Sequence, residues 1–328
     1  MTIRIGLIGI GAGAAAALLF ASLTTGSLLS VLLFYLAPLP MMIAGIGWSH
    51  WAALIGAVFG ALAIASLFGW VFLFAFLASV GLPAWWLGYL AMLARPVSIG
   101  NNGAAPALEW YPPGRLVMWA AILAAAVVVV AIPNFGIDAG SFRTGMHHAL
   151  ARLLSAESGE LAGRSAGDLD SRAADRVIAF LVAAVPPAAA VLATVTNVVN
   201  LWLAARIVKF SGRLARPWPQ IASLTLPRPL MGALAVAGAL CFLSGMLGIL
   251  ASVAAAGLLM AYGVLGFAVL HTITQGQRTR GFLLGGTYAA VMVFGWPILA
   301  LCLLGLIEST VELRARIAHR RAPPPPHL

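Results

Sequence analysis

Charge is scarce in this chain. Of its 328 residues only 9% are charged while 62% are hydrophobic, and the mean hydropathy is +1.01. A soluble domain carries roughly a quarter charged residues. The first acidic residue is Glu109, preceded only by Arg4 and Arg95 as fixed side-chain charges. No water-facing surface can be built from residues 1–108, which excludes a soluble globule and favours a bilayer, a solvent that is itself apolar.

Acid and lysine are the rarest charges. The chain holds 19 Lys+Arg against 9 Asp+Glu, a net charge of +10, and Lys209 is the sole lysine. Basic residues of a membrane protein gather beside lipid headgroups, so this excess points to membrane lipids as partners and not to nucleic acid. Cysteine is also nearly absent. Cys241 and Cys302 both sit inside apolar runs, with neither metal-ligand spacing nor a disulfide framework. The first apolar stretch has no convincing small-residue cleavage site after it and reads as a retained span.

Nucleotide chemistry is missing as well. Gly9-Ile10-Gly11-Ala12-Gly13-Ala14 superficially resembles a dinucleotide-binding loop. That loop needs a preceding strand and an acid about twenty residues later, and no acid comes before Glu109. A phosphate-binding loop needs Gly-Lys-Ser/Thr, whereas the only lysine lies in Val208-Lys209-Phe210. His147-His148 has no partner ligand one helical turn away. No Asp, Glu, Lys or Arg falls clearly within a span, where ion-coupled carriers usually place one. The sequence therefore reads as neither an enzyme nor an ATPase, with no cofactor and no metal.

What is present is a series of long apolar runs. A helix needs about 20 apolar residues to cross ~30 Å of hydrocarbon. Eight or nine such segments lie near 5–23, 28–47, 50–69, 70–94, 115–132, 177–205, 229–246, 248–272 and 281–307. They are continuously apolar and do not alternate as barrel strands would. The expected architecture is an all-α transmembrane bundle forming one domain over 1–312, in a bacterial cytoplasmic (inner) membrane. Gly69 and Gly81-Leu82-Pro83 leave 50–94 as two spans, or two plus a re-entrant piece. Gly9/Gly13 and Gly56/Gly60 follow the small-residue pattern of close helix contacts. Pro38, Pro40, Pro186-Pro187 and Pro297 each read as a simple kink or as a broken helix beside a cavity.

Three polar stretches separate the spans. Residues 95–114 read as a loop containing Asn101, Asn102 and Glu109. In 133–176, Phe142, Met146, Ala149, Leu150, Leu153 and Leu154 share one helical face opposite Arg143, His147 and Arg152, the pattern of an amphipathic interfacial helix. Residues 206–228 carry Arg206, Lys209, Arg213, Arg216 and Arg228 with no acid. Arg206, Lys209, Arg213 and Arg216 are expected to contact headgroups or a partner protein. Residues 313–328 read as a basic, proline-rich disordered tail. The short, purely basic loops 206–228 and 273–280 place themselves and the N-terminus on the cytoplasmic side.

Polar residues inside spans are the remaining candidates. Thr194, Thr196, Asn197 and Asn200 lie deep in the sixth segment. They line a cavity or hydrogen-bond between helices. His271 ends the eighth segment, and Glu308 closes the last one beside Arg314. Thr194, Asn197, Asn200, Tyr262 and His271 are the candidate cavity residues.

The order of motifs in the second half resembles a family of predicted bacterial membrane proteins, the YybS-like family. A surface segment (142–176) runs into Val185-Pro186-Pro187-Ala188, then Asn197-Val198-Val199-Asn200-Leu201, then a basic stretch with Trp218 and Leu226-Pro227. Gly266-Phe267-Ala268-Val269-Leu270-His271 and Gly305-Leu306-Ile307-Glu308 follow. The likeness covers 177–309, and 5–132 only in span layout. The family's organisation is loosely similar to the substrate-binding subunits of energy-coupling-factor transporters. The resemblance implies a small-molecule or lipid transport component without its own ATPase. The other reading is a membrane scaffold or assembly factor that binds headgroups or a membrane or cytoplasmic protein.

Overall fold

The computed structural model describes residues 2–97, 107–158 and 168–321. Asn101, Asn102 and the proline run of the tail lie outside the described residues. The chain is an all-α helical membrane bundle. Among the described residues, seven helical segments are long and apolar enough to cross a bilayer. Of the segments expected as spans, 229–246 and 281–307 form shorter apolar helices.

The chain divides into two compact units: Met1–Ala120, Thr196–Leu230 and Leu259–Leu328 form one, and Ala121–Val195 with Met231–Leu258 the other. A single domain over 1–312 was expected. Four helices contribute residues to both units: α7 (Pro113–Ala131), α9 (Asp168–Phe210), α10 (Pro229–Leu240) and α11 (Met246–Ile273).

The first unit opens with α1 (Thr2–Ala21), α2 (Leu28–Tyr35) and α3 (Leu39–Gly47). Ser27 caps α2 by accepting the Ser30 N–H at 3.1 Å. Pro38 and Pro40 separate α2 from α3, since proline cannot donate a helical hydrogen bond. Ser49 accepts the Trp51 N–H and starts α4 (His50–Phe68). Gly69, at φ 97°, ends α4 and opens α5 (Trp70–Phe76), a conformation that only glycine adopts cheaply. A π-helical turn over Leu77–Gly81 then leads into α6 (Leu82–Ala91). Residues 50–94 are therefore two spans, as the break at Gly69 suggests.

Helices α1 and α4 run parallel through the expected glycines. A Cβ on Gly13 would collide with the Gly56 backbone, and one on Gly60 would lie 2.9 Å from the Gly13 carbonyl. Lipid supplies no hydrophobic drive for helix pairing, so such backbone proximity is what holds the pair.

The described parts of the 95–114 stretch include two strands, where a loop was expected. Strands β1 (Ala94–Val97) and β2 (Ala107–Trp110) pair antiparallel, with Arg95 opposite Glu109. Their side chains meet at 2.7 Å, the cross-strand arrangement of opposite charges that supports a hairpin.

The same unit ends with α12 (Arg280–Phe294), α13 (Ile298–Val311) and α14 (Leu313–Arg321). Gly295 at φ 71° and Pro297 break the segment expected to span at 281–307. Helices of 15 and 14 residues are about 22 and 21 Å long, short of ~30 Å. Residues 313–321, expected to be a disordered tail, are helical. Glu308 explains this: its carboxylate accepts the Arg314 N–H at 3.0 Å in the first turn of α14.

The second unit packs around α8 (Ala139–Ser158). Phe142 and Met146 are buried in a cluster with Ile132, Ile178, Val182, Ala190 and Val253, and Leu150 packs against it. The face expected to rest on lipid is thus largely filled by protein, although Leu153 stays exposed. Helix α9 runs unbroken through Pro186-Pro187, so these prolines do not open a broken-helix site. Helix α10 (Pro229–Leu240) has 12 residues, about 18 Å.

Candidate functional site

A cavity of about 570 Å³ lies in the first unit. Its size falls within the ~300–1,000 Å³ of small-molecule pockets. The walls come from the last residues of α3 and α6, the start of α7, the last turns of α9 and α11, the middle of α12, and the segment 214–224. These helix ends share one side of the unit, and the 211–228 segment folds across them. Leu116, Val117, Val199, Leu201 and Val264 represent the predominantly apolar lining, with Trp202 and Trp218 as its largest rings. Its polar groups are Arg216, Gln220, His271 and Tyr288.

Arg216 is held from both sides. Nη1 donates to the Ala91 carbonyl at 3.0 Å and Nη2 to the Tyr111 carbonyl at 2.8 Å. Ala91 ends α6, where helical carbonyls lack partners and carry the negative end of the helix dipole. Among the described residues no carboxylate pairs with Arg216. Burial lowers its pKa from the ordinary arginine value, because desolvation disfavours the charged form.

His271 Nδ1 lies 3.0 Å from the Phe267 carbonyl. Donation from Nδ1 fixes the tautomer and leaves Nε2 for another partner. Tyr288 stacks on Phe267 with centroids 5.0 Å apart, and meets His271 edge-on at 5.9 Å.

Of the five candidate cavity residues, His271 lines the cavity and the other four do not. Asn197 Nδ2 donates to the Ala120 carbonyl at 3.2 Å, and Asn200 Nδ2 donates to the carbonyls of Tyr35 and Thr196, each at 2.8 Å. Thr194 Oγ1 donates to its own helix at Ala190. These polar side chains meet backbone carbonyls, the second of the two sequence readings. Tyr262 is buried where Gly305 of α13 closes on the α11 backbone.

The basic residues separate in the same way. Arg206 lies over Trp202, Phe210 and Trp218 at 5.9, 4.9 and 5.5 Å, and Lys209 lies 4.8 Å from the Trp218 centroid. Arg213 sits 4.4 Å over Trp48 and donates Nε to the Gly47 carbonyl at 3.3 Å. Arg216, expected to contact headgroups or a partner with them, is partly buried and lines the cavity, bonded to the Ala91 and Tyr111 carbonyls. Sequence reading missed Gln220, Tyr288, Trp202 and Trp218 as lining. The available signal was a basic, acid-free segment containing Trp218-Pro219 between two spans.

Among the described residues no group of three or more His, Cys, Asp or Glu side chains is placed to hold a metal ion. No protein-family model, curated protein or solved structure matches the chain.

Proposed function

We propose that this membrane protein is a transport component that binds a lipid or other apolar-bodied small molecule and has no ATPase of its own. The observation that carries this reading is the cavity itself, apolar over most of its wall and lined by Arg216 and His271. A ligand site of this kind buries an apolar body and orients it with a few polar groups. The motif order over 177–309 supports placing the chain beside the YybS-like proteins, and its composition suits a bacterial inner membrane. The lack of a nucleotide loop fits a subunit energised by another protein.

The test is retention of a ligand. Native mass spectrometry of the protein released from mild detergent should show one bound small molecule or lipid. Ala205→Trp, which places a ring in the cavity, should remove it while the protein stays folded. Retention unaffected by Ala205→Trp, or no retention at all, overturns the reading.

A specific observation favours a second reading, a scaffold that binds headgroups or a partner protein. Arg206, Lys209 and Arg213 lie over aromatic rings beside the 211–228 segment, where interfacial aromatics and cations usually meet headgroups. A stable protein partner lost on replacing Arg206 and Lys209, with no cavity ligand, would select it.

A further inference from the structure

Resting on the cavity reading above, we infer that the ligand is an anionic amphiphile, whose apolar chain enters the cavity and whose oxyanion head meets the Arg216 guanidinium.

The wall sets the body. Its lining is predominantly apolar, with Leu116, Val117, Val199, Leu201 and Val264, and such a wall takes a hydrocarbon chain.

Charge sets the head. Arginine has five N–H donors in a planar fork. Two of its nitrogens each give a bond to the Ala91 and Tyr111 carbonyls, which leaves donors for an oxyanion. Those carbonyls orient the fork but do not neutralise it, and no described carboxylate pairs with it. Arg216 is partly buried, and a partly desolvated cation without a counter-ion is disfavoured, a cost that an anionic ligand relieves. Burial depresses the Arg216 pKa, which fits an uncompensated charge.

The surroundings carry the same sign independently. Trp218, a wall of the cavity, has both Arg206 and Lys209 near its ring, at 5.5 and 4.8 Å. Residues 206–228 contain no acid. The approach to the cavity is therefore positive, and a positive, low-dielectric rim concentrates anions. A carboxylate head and a phosphate head share this chemistry.

The experiment uses the full chain in bilayer discs of neutral phosphatidylcholine. Bromine-tagged probes of one chain length, at matched mole fraction, quench tryptophan fluorescence when they enter beside Trp202 and Trp218. The heads are a fatty acid, an alkyl phosphate, an alcohol and a trimethylammonium. The expected result is saturable quenching in which acid or phosphate binds about tenfold or more tighter than the alcohol, the advantage expected of a charge-assisted bond. The better of the two anions identifies the source as free fatty acid or lipid phosphate. Arg216→Gln should reduce the anion preference to less than about threefold while the alcohol still binds. Where that variant does not fold, the four-head comparison on the unaltered protein decides alone.

Equal binding of all heads, or preference for the ammonium, overturns the anionic assignment and leaves the cavity reading intact. Quenching no greater than in Ala205→Trp for every probe overturns the cavity reading as well.

Discussion

Glu308 and Arg314 join the end of α13 to the start of α14. Arg314 Nε donates to Glu308 Oε1 at 2.7 Å, and the Arg314 backbone N–H donates to Oε2 at 3.0 Å. The two side chains are only 8% and 10% exposed. Arg314 also donates to the carbonyls of Ala222 and Leu224. The chain after α13 is thereby tied to the segment that closes the cavity. Glu308→Ala leaves an unpaired cation at this site, a change that costs about 3–5 kcal/mol in buried pairs. It should release α14 and speed trypsin cleavage at Arg316, with a lower melting temperature in detergent. Glu308→Gln, which can still accept one hydrogen bond, should do so less. Cleavage equal to that of the unaltered protein would show that the pair does not hold the tail.

The same tie decides a matter of topology. Helix α12 begins just after His271, and Arg314 returns the chain to Ala222 and Leu224. Both ends of the α12–α13 pair therefore lie on the cavity side of the unit, and the pair is expected to dip into the membrane and return. Arg4 lies at this end too, because α1 runs parallel to α4 with Gly9 beside Ala52 and Ile55. Of the 19 Lys+Arg, five belong to residues 133–176: Arg143, Arg152, Arg164, Arg172 and Arg176. By the positive-inside rule the cavity end is expected to face the cytoplasm. In a background lacking Cys241 and Cys302, cysteines at Ile3 and Ala315 should resist an impermeant maleimide in intact cells and react after permeabilisation. One at Ile137 should react in intact cells. Opposite behaviour of Ile3 and Ala315 would mean that 281–307 crosses the membrane once.

Legibility in the sequence followed the range of the interactions. The long spans were readable because each is a local, uninterrupted apolar run, and Gly69 marked its break locally as well. The β1–β2 hairpin was not, because Arg95 and Glu109 pair across fourteen positions. Pro186-Pro187 left a kink or a broken helix open, and α9 continues through both, since a helix packed among others can lose two N–H donors and continue. His271 was found from its place at a span end. Arg216 was indistinguishable from Arg206 within one basic run. Its inward position depends on Ala91 and Tyr111, which are more than a hundred residues away.

Asp138 makes the start of α8 sensitive to pH. The Ser141 hydroxyl donates to its carboxylate at 2.6 Å, and the N–H groups of Ser141 and Gly140 add bonds at 3.0 and 2.8 Å. These bonds favour the ionised form and lower its pKa below the ordinary 3.8, the Ser141 hydroxyl contributing most. A lowered folded pKa gives stability that is complete above the ordinary carboxylate range and is lost as pH falls through the folded value. The melting temperature of Asp138→Asn should lie below that of the unaltered protein near neutral pH. The gap should narrow as pH falls through the ordinary carboxylate range towards the lowered folded value. A gap independent of pH would assign the effect to hydrogen-bond geometry and not to charge.

Asn200 separates helix packing from ligand binding. Pro38 and Pro40 stop α2, and the Tyr35 carbonyl at its end receives the Asn200 Nδ2 donor at 2.8 Å. This bond satisfies an orphan of the helix terminus and links α9 to α2. Its neighbours Val198, Val199, Leu201 and Trp202 line the cavity, while Asn200 is buried away from it. Asn200→Leu keeps the side chain's approximate size and removes the donor. Interhelical hydrogen bonds in membranes average about 0.6 kcal/mol and reach about 1.7 kcal/mol, so a melting temperature lower by a few degrees is expected. Affinity for the bromine-tagged probes should stay within about twofold, because no wall of the cavity changes and a twofold change is only ~0.4 kcal/mol. Ala205→Trp should show the reverse pattern, with binding lost and melting little changed. Loss of probe binding in Asn200→Leu at unchanged stability would move this asparagine into the ligand site, where the polar positions of the sixth span first suggested a cavity.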